Sequence, residues 1–342
     1  MTNKRTAKIA VIGATGAVGR EILLELQAHE FQHVDLYASE NSTTQSLDFA
    51  GRKLPVQAFS LQRCKNYNYV LMSAGGKFTR RFGRQLAAQN DCLIDNSSAL
   101  RMADDVPLVV PEVNAHLLRK QPKLIANPNC STIQLVVVLG ALANKFQLQQ
   151  VQVATYQSVS GAGRRGVAEW QRQQQERQRA DATPDLRVFA QQIDANILPA
   201  IDVFDEAGHC FEEVKMVQET QKILALPELA IQATCVRVPV LRGHGEAVAV
   251  KLDRETTRQE IQDYLAAAVG VELCRADDHA LLPTPLHVAG KRKVYVARVR
   301  LPYRQQRSFW VQFFILADNL RKGAATNAVQ IATEHLNMLN MP

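Results

Sequence analysis

The cysteine at position 130 has the surroundings of a nucleophile. Cys130 lies in the segment NPNCSTIQ, where a proline-containing turn runs into an apolar stretch with helical spacing. A thiol at a helix start meets the positive end of the helix dipole and backbone N–H groups, which favour the reactive thiolate. Cys92 and Cys235 lie instead in apolar strand-like segments, where an inert core thiol is expected. The pattern predicts covalent catalysis at Cys130.

A glycine-rich turn near the N-terminus is the second chemical feature. Gly13, Gly16 and Gly19 form GATGAVG between the strand pattern KIAVI and the helix pattern REILLELQ. Glycines there let the backbone approach a pyrophosphate, and the helix N-terminus supplies N–H donors. The motif predicts a dinucleotide site, with a tight strand-to-helix connection as the simpler alternative.

The end of the second predicted strand bears on the choice of dinucleotide. Ser39, Glu40 and Asn41 stand there, followed by Ser42. In dinucleotide folds this position distinguishes a free ribose hydroxyl from a 2′-phosphate. Glu40 suits a hydroxyl, whereas Ser39 and Ser42 suit a phosphate, so these residues leave both NAD and NADP open.

Alternating strand and helix patterns organise the first part of the chain. Its apolar runs are KIAVIG, VDLYAS, YNYVLMSAG, CLIDNSS and KLIANPNC. This alternation predicts an α/β fold with a Rossmann-type, doubly wound nucleotide-binding domain that closes near residue 129. From VQVATYQSVSGAG onward the longer runs predict a second, α+β domain with a large mixed sheet.

Composition narrows the class of protein. The 342 residues are 46% hydrophobic, enough for two cores, and contain no run of eighteen apolar residues. The N-terminus passes from a short basic lead into a strand pattern without a cleavage-like segment, which favours a cytoplasmic protein. The six cysteines lack CxxC spacing, so we expect reduced thiols and no metal site.

The net charge of +7 suits either an anionic small substrate or weak polyanion binding. Residues 164–180 are rich in Gln and Arg, with Trp170 as their one aromatic residue. Nucleic-acid binding favours more interleaved aromatic side chains, so a solvent-exposed helix is the preferred interpretation. We expect neither a nucleic-acid nor a membrane partner.

Long segments of the chain occur in the order found in one enzyme family. They are GATGAVG, DNSSALRM, VPLVVPEVN, NPNCSTIQ, TYQSVSGAG, IDVF, FEEVKM, RVPVLRGHGE and DNLRKGAATNAVQIA. Together they resemble bacterial aspartate-semialdehyde dehydrogenase from end to end. The resemblance implies NADPH-dependent reduction of L-aspartyl 4-phosphate to aspartate 4-semialdehyde through a Cys130 thioester, on the route to lysine, threonine, methionine and diaminopimelate.

The same resemblance assigns roles to individual residues. It makes Cys130 the nucleophile, Gln157 the residue that positions the reacting carbonyl, and His244 the acid/base. The substrate-binding residues that it implies are Asn96, Arg101, Glu212, Lys215 and Arg237. The cofactor-binding residues that it implies are Gly13, Thr15, Gly16, Ala17, Val18, Ser39, Ser160, Gly161 and Asn327.

These assignments match the charges of the implied substrate. The resemblance implies that Arg237 holds the α-carboxylate, Glu212 the amine and Lys215 the phosphate, with Asn96 and Arg101 as further phosphate ligands. An acyl phosphate that also carries a carboxylate calls for separate cationic anchors, and arginine offers a bidentate fork to an oxyanion. Considered alone, each of these residues is equally compatible with an ordinary surface position or a helix ion pair.

The resemblance implies NADP as cofactor, inorganic phosphate as the other small partner, and a homodimer. Members that use NADP often carry Arg where this chain has Asn41, so NAD also stays open. The C-terminal helix is expected to return to the nucleotide domain. The implied domains are 1–129 with 318–342, and 130–317 for catalysis and dimerisation.

Two other functions stay open. N-acetyl-γ-glutamyl-phosphate reductase shares the thioester chemistry, but its acetylated amine carries no charge for Glu212 to pair with. A non-catalytic paralogue has no need for Cys130, Gln157 and His244 together.

Overall fold

The computed structural model describes residues 3–177 and 186–340. The strands are β1 (Lys8–Ile12), β2 (His33–Ala38), β3 (Ser46–Phe49), β4 (Arg52–Ala58), β5 (Tyr69–Met72), β6 (Cys92–Asp95), β7 (Leu124–Ala126), β8 (Leu148–Gln157), β9 (Ala230–Arg237), β10 (His244–Thr256), β11 (Val271–Leu273), β12 (Val294–Arg300) and β13 (Ser308–Ala317). The helices are α1 (Ala17–Ala28), α2 (Gly76–Gln89), α3 (Pro111–Asn114), α4 (Cys130–Ala143), α5 (Gly163–Glu176), α6 (Phe211–Leu224), α7 (Arg258–Ala266), α8 (Pro285–Val288) and α9 (Thr326–Leu339). Short 3-10 turns cover Glu40–Ser42, Ala115–Lys120, Val159–Ala162 and His279–Leu281, and a π-helical turn covers Arg321–Ala325.

The chain forms two compact units. The first contains the residues up to Asn129 and those from Gly323 onward, and the second is Cys130–Lys322. The predicted boundary at residue 318 differs from this division. Asp318 accepts a hydrogen bond from Arg242 Nε over 2.7 Å, and Asn319 Oδ1 accepts one from the Gly243 N–H over 2.9 Å, so both residues are held inside the second unit.

The first unit is built on a sheet with strand order β3-β4-β2-β1-β5-β6-β7. Its strands pair in parallel, except that β3 runs antiparallel to β4. The predicted Rossmann-type domain is confirmed. The β3–β4 hairpin is an addition that the sequence analysis did not predict, and it turns at Ala50 and Gly51, which both have positive φ.

The core of the first unit joins both ends of the chain. Ile9 and Val11 of β1 and Leu71 of β5 are buried in one apolar cluster with Ala328 and Ile331 of α9. Because one face of α9 is buried in this cluster, the C-terminal helix is part of the nucleotide-domain core.

The second unit contains the large mixed sheet that the sequence predicts. Its strand order is β11-β12-β13-β10-β8-β9, with parallel pairing at β11–β12 and β8–β9 and antiparallel pairing elsewhere. Helix α4 packs against this sheet and is apolar and buried along nearly its whole length. Within residues 3–177 and 186–340, no helix is both long and apolar enough to cross a membrane.

The Gln/Arg-rich segment differs from its prediction. Helix α5 was expected to be solvent-exposed, but Val167 and Trp170 pack on a buried apolar cluster that contains Phe189. Glu169 and Gln173 are buried on the same face and accept hydrogen bonds from the backbone N–H groups of Arg187, Val188, Phe189, Ile193 and Asp194. The exposed-helix interpretation is therefore wrong for this face, and residues 178–180 lie outside the described residues.

Gly13 and Gly51 allow a matched test of the glycine turn. Both have positive φ, but a Cβ at Gly13 would overlap the Ser73 carbonyl, whereas a Cβ at Gly51 meets nothing within 4 Å. We expect Gly51→Ala to lower the free energy of unfolding by about 1 kcal/mol and Gly13→Ala to lower it by more than about 2 kcal/mol. Urea denaturation measures both, and equal losses would contradict the overlap.

Candidate active site

Three predicted site residues lie side by side in the mixed sheet. Gln157, the last residue of β8, pairs with Arg237, the last residue of β9. Gly245 of β10 pairs with Tyr156 on the other side of β8, which brings His244 beside Gln157. All three side chains are buried. The register thus forms a cross-strand row of an amide, a guanidinium and an imidazole.

Cys130 is the first residue of α4 and is partly exposed. Cys92 and Cys235 are buried, and burial raises the pKa of each thiol, as expected for inert core cysteines. Cys130 lies close enough to Arg237 for the two groups to interact electrostatically. A guanidinium near a thiol at a helix start favours the thiolate, so the surroundings of Cys130 suit the predicted nucleophile.

His244 is held as a neutral imidazole. Burial lowers its pKa to about 3, with a further lowering from Arg237 that Glu212 opposes. The backbone N–H of Ser158 donates to His244 Nδ1 over 3.1 Å, so Nδ1 is the unprotonated nitrogen and the proton lies on Nε2. Nε2 has no hydrogen-bond partner among the described residues. The imidazole therefore has a donor available for another group.

Ser158, Ser160 and Asn319 form a polar network behind His244. Asn319 Oδ1 accepts from both serine hydroxyls, over 3.2 and 3.3 Å, and Asn319 Nδ2 donates to Ser160 Oγ over 3.0 Å. Gly161 follows directly, and a Cβ there would stand 2.6 Å from Arg237 Nη1 and 3.3 Å from His244 Nε2. Any larger residue at 161 would therefore displace the guanidinium or the imidazole.

Glu212 and Lys215 extend the site from α6. Gln157 Nε2 donates to Glu212 Oε1 over 3.1 Å, and Lys215 Nζ lies 2.6 Å from Glu212 Oε2 and 3.2 Å from Asp202. Burial lowers the pKa of Lys215, but Glu212 and Asp202 outweigh it and the net pKa is raised. Burial likewise lowers the pKa of Arg237, with Glu212 opposing. The cluster thus alternates positive and negative groups.

The glycine turn of the first unit has the shape of a phosphate cradle. Gly16 is the N-cap of α1, and no side chain caps its first turn, where Ala17 and Val18 follow. A Cβ at Gly13 or at Gly19 would overlap neighbouring backbone carbonyls. The turn is therefore bare backbone at a helix N-terminus, which suits a pyrophosphate.

The hydroxyl groups predicted near the ribose also lie in the first unit. Thr15 Oγ1 donates to Ser42 Oγ over 3.5 Å, and Arg20 Nε donates to the Thr15 carbonyl over 3.3 Å. Ser39 and Glu40 are exposed at the start of the adjoining 3-10 turn. A hydroxyl pair, a guanidinium and a carboxylate are thus all present at this end of the sheet.

Asn96, Arg101 and Asn327 lie in one hydrogen-bond chain of the first unit. Arg101 Nη2 donates to the Asn96 carbonyl over 2.8 Å, and Asn127 Nδ2 donates to Asn96 Oδ1 over 2.9 Å. Asn327 Nδ2 donates to Asn127 Oδ1 over 2.8 Å, and Asn96 Nδ2 donates to the Met72 carbonyl over 3.0 Å. The chain fixes the NPN turn that leads into Cys130.

The structure thus groups the predicted residues in two sets. The second unit brings together Cys130, Gln157, Ser160, Gly161, Glu212, Lys215, Arg237 and His244, and the first unit holds the remaining predicted residues. Sequence reasoning missed Ser158, Asp202 and Asn319. Each lies inside one of the family-like segments named above. Their role is to hydrogen-bond a predicted site residue, and residue spacing in the sequence does not reveal such a contact. No group of three or more His, Cys, Asp or Glu side chains in the described ranges is arranged to hold a metal ion.

Comparison with known proteins agrees with this geometry. Residues 8–121 match the family model "Semialdehyde dehydrogenase, NAD binding domain", and residues 139–322 match "Semialdehyde dehydrogenase, dimerisation domain". The aspartate-semialdehyde dehydrogenase of Bacillus subtilis is 39% identical over 98% of this chain and 99% of its own, and that of Aquifex aeolicus is 41% identical over 95% and 96%. The chain belongs to the aspartate-semialdehyde dehydrogenase family.

A solved structure of the aspartate-semialdehyde dehydrogenase family extends the match to three dimensions. Aspartate semialdehyde dehydrogenase II from Vibrio cholerae, complexed with ASA, superposes with a TM-score of 0.91, covering 98% of this chain and 99% of its own at 39% identity. The predicted family, fold class and oxidoreductase class are confirmed, together with a nicotinamide-dinucleotide-binding domain. The roles of the individual site residues stay predictions.

His244 should give the protein a measurable pH dependence of stability. Its folded pKa of about 3 lies below the ordinary 6.5, so the unfolded chain binds the extra proton between these values and stability falls as pH drops through that window. The slope for one proton is about 1.4 kcal/mol per pH unit. We expect His244→Gln to lose this component.

The matched control is His33→Gln, because His33 is exposed on β2. Urea denaturation between about pH 5 and pH 7 should show the wild type and His33→Gln changing in parallel, with His244→Gln flatter. Parallel curves for all three proteins would show that His244 titrates normally in the folded state.

Proposed function

We propose that this chain reduces L-aspartyl 4-phosphate to aspartate 4-semialdehyde with NADPH, releasing phosphate, through a thioester on Cys130. The single observation that carries the proposal is the cross-strand row of Gln157, Arg237 and His244 together with the accessible thiol of Cys130. The relative from Vibrio cholerae, complexed with ASA, supports the substrate class.

Cys130 performs the covalent step. Its thiolate attacks the acyl carbon, a C–S bond forms, and the C–O bond to phosphate breaks as phosphate leaves. A nicotinamide cofactor bound in its reduced form would supply the hydride for reduction of the thioester carbon to the aldehyde level. The C–S bond then breaks and Cys130 leaves as thiolate, ready for the next substrate. The reverse reaction consumes inorganic phosphate.

His244 provides the acid side of the predicted acid/base role. Because Ser158 N–H occupies Nδ1, the Nε2 proton of His244 is directed to the oxygen that becomes negative as Cys130 attacks. A neutral histidine with a lowered pKa is a good donor to a developing oxyanion. Gln157 lies in the same row, where Glu212 orients its amide, and it positions the reacting carbonyl.

Different charged residues bind the carboxylate, the ammonium and the phosphate groups of the substrate. Arg237 is buried beside Glu212, so a carboxylate and an ammonium on one carbon find opposite charges side by side. Lys215 on the same helix as Glu212 serves the phosphate. Glu212 is also the group that rejects an acetylated amine, which favours this substrate over that of an N-acetyl-γ-glutamyl-phosphate reductase.

Two variants test the nucleophile. Cys130→Ala should abolish phosphate-dependent reduction of NADP by aspartate semialdehyde, because no other group forms the thioester. NADP binding, measured by fluorescence titration, should be unchanged. The matched control is Cys274→Ala, which removes another partly exposed thiol and should keep full activity. Turnover by Cys130→Ala, or its loss in Cys274→Ala, would contradict the assignment.

We propose NADP as the cofactor because of the residues that lie near the predicted ribose position. The Thr15 and Ser42 hydroxyls and the Arg20 guanidinium offer donors to a 2′-phosphate, and Ser39 adjoins them. Glu40 opposes a phosphate by its charge and favours the ribose hydroxyl of NAD. The balance predicts that NADPH binds more tightly than NADH, by a margin that Glu40 reduces.

Replacing Glu40 tests that balance. Glu40→Gln removes the negative charge at similar size, so the affinity for NADPH relative to NADH should rise about two- to fivefold. Fluorescence titration of both nucleotides measures the ratio. Asp48→Asn is the control, because it removes another exposed carboxylate of the same unit. A ratio that rises equally in both variants would show a general charge effect without a specific role for Glu40.

The homodimer is the second part of the proposal. The sheet face opposite α4 carries partly exposed aromatic residues, among them Tyr156, Trp310 and Phe314, with the Tyr156 and Phe314 rings 6.0 Å apart. A sheet face that exposes several aromatic side chains favours association with another copy. Light scattering should give twice the 38.0 kDa mass of one chain, and a monomer at micromolar concentration would refute the dimer.

A further inference from the structure

Glu246 is a buried acid that the proposed chemistry does not use. It lies on β10 two residues after His244, on the same face of the strand, and is fully buried. Its cross-strand neighbours are Thr155 of β8 and Ile315 of β13, which are also fully buried. The cross-strand row that contains Glu246 is therefore the next row along the sheet from the one that contains His244, on the same face.

Gln134 is the side chain that faces this acid. The Gln134 amide opposes the effect of burial on Glu246 and is itself fully buried on α4. Within the described part of the chain, the two carboxylate oxygens of Glu246 and the two amide atoms of Gln134 make no hydrogen bond of good geometry. The Gln134 amide lies within hydrogen-bonding reach of Glu246, and buried polar atoms whose hydrogen bonds are incomplete are costly.

Protonation of Glu246 allows its carboxyl group and the Gln134 amide to satisfy each other's hydrogen-bonding groups. A carboxylate has acceptors only, and isolating its charge in a core is far more costly than burying the neutral acid. Burial raises the pKa of Glu246 well above its ordinary value, which favours the neutral acid. A neutral acid gains an O–H donor for Gln134 Oε1 while its carbonyl oxygen accepts from Gln134 Nε2.

The position of the pair connects it with the reacting residues. Gln134 follows Cys130 by four residues on α4, so the two side chains share one face of the helix. Glu246 follows His244 by two residues on β10, so these two share one face of the strand. Linking Gln134 to Glu246 therefore also sets the separation of Cys130 from His244.

We propose that protonated Glu246 and Gln134 form a buried acid–amide pair that positions Cys130 against His244. This inference rests on the roles of Cys130 and His244 in the proposed function. Glu246 touches no reacting atom, so it is a positioning residue and not a catalytic one. The distance that it controls matters, because a misplacement of about 1 Å at a reacting centre costs about 100-fold in rate.

Substitutions of both partners test the pair through kcat. Glu246→Leu and Gln134→Leu each remove the link, and we expect kcat to fall about 100-fold with the KM for aspartate semialdehyde nearly unchanged. Glu246→Gln keeps a donor and an acceptor at the same size and should stay within about threefold of the wild type. The exchange variant with Glu246→Gln and Gln134→Glu should also recover most of the activity.

Val248→Ala is the matched structural control. Val248 lies two residues farther along the same buried face of β10, and shortening it leaves a cavity without touching the polar pair. We expect this variant to lower Tm with kcat unchanged. The two leucine variants, each of which leaves a buried polar partner unpaired, should lower kcat as well as Tm. The rate of Cys130 alkylation by iodoacetamide across pH, measured in the same set, should change only in the leucine variants.

Infrared difference spectroscopy tests the proton independently of activity. The wild type minus Glu246→Gln spectrum at neutral pH should show the carbonyl band of a protonated carboxylic acid. Absence of that band, or a loss of kcat in Glu246→Gln as large as in Glu246→Leu, would overturn the proposal. If Cys130→Ala stays active, the proposed function fails instead, while the infrared band still reports on Glu246.

Discussion

The register of β8 with β9 and β10 is the constraint on which the site depends. Gln157 meets Arg237 on one side and His244 on the other only because these pairings fall at the ends of their strands. A slip of one residue would turn every inward side chain to the opposite face of the sheet. Long pairings with buried Val and Leu residues hold the register, so apolar packing far from the site fixes the polar geometry.

Burial gives these groups their chemical character. Removing His244 from water makes it neutral, whereas Lys215 stays charged because Glu212 and Asp202 surround it. The same low-polarity surroundings thus produce a hydrogen-bond donor at one position and a retained cation at another. What decides between the two outcomes is the presence of an opposite charge within contact distance.

The sequence predicts the parts of this molecule that have local signals. The Rossmann-type order follows from alternating patterns, and GATGAVG marks the turn after β1 because only glycine fits there. Long-range features were harder to predict. The buried face of α5 depends on backbone N–H groups of residues 187–194, and the Gln/Arg composition of the helix does not reveal them.

The candidate site shows the same division. Motif order gives Cys130, Gln157 and His244, but the network through Asn319 arises from residues far apart in the chain. Glu246 had a weak local signal, because a charged residue precedes the apolar inward positions Val248, Val250 and Leu252 of β10. Reading that signal requires knowing which face of the strand is buried, and a pattern alone does not say which side of a sheet a helix covers.

The placement of α9 in the first core has a consequence for biosynthesis. Ala328 and Ile331 complete an apolar cluster that begins with Ile9, and Asn327 holds the turn before Cys130. A ribosome makes strands β1 to β7 first, but it makes α9 only after the whole mixed sheet. The nucleotide domain therefore finishes folding only after α9 has emerged, whereas the residues of the mixed sheet have all emerged earlier. During synthesis, the nascent Rossmann sheet exposes the apolar surface that α9 later covers. Chaperones therefore have longer access to this surface than to the core of the mixed sheet.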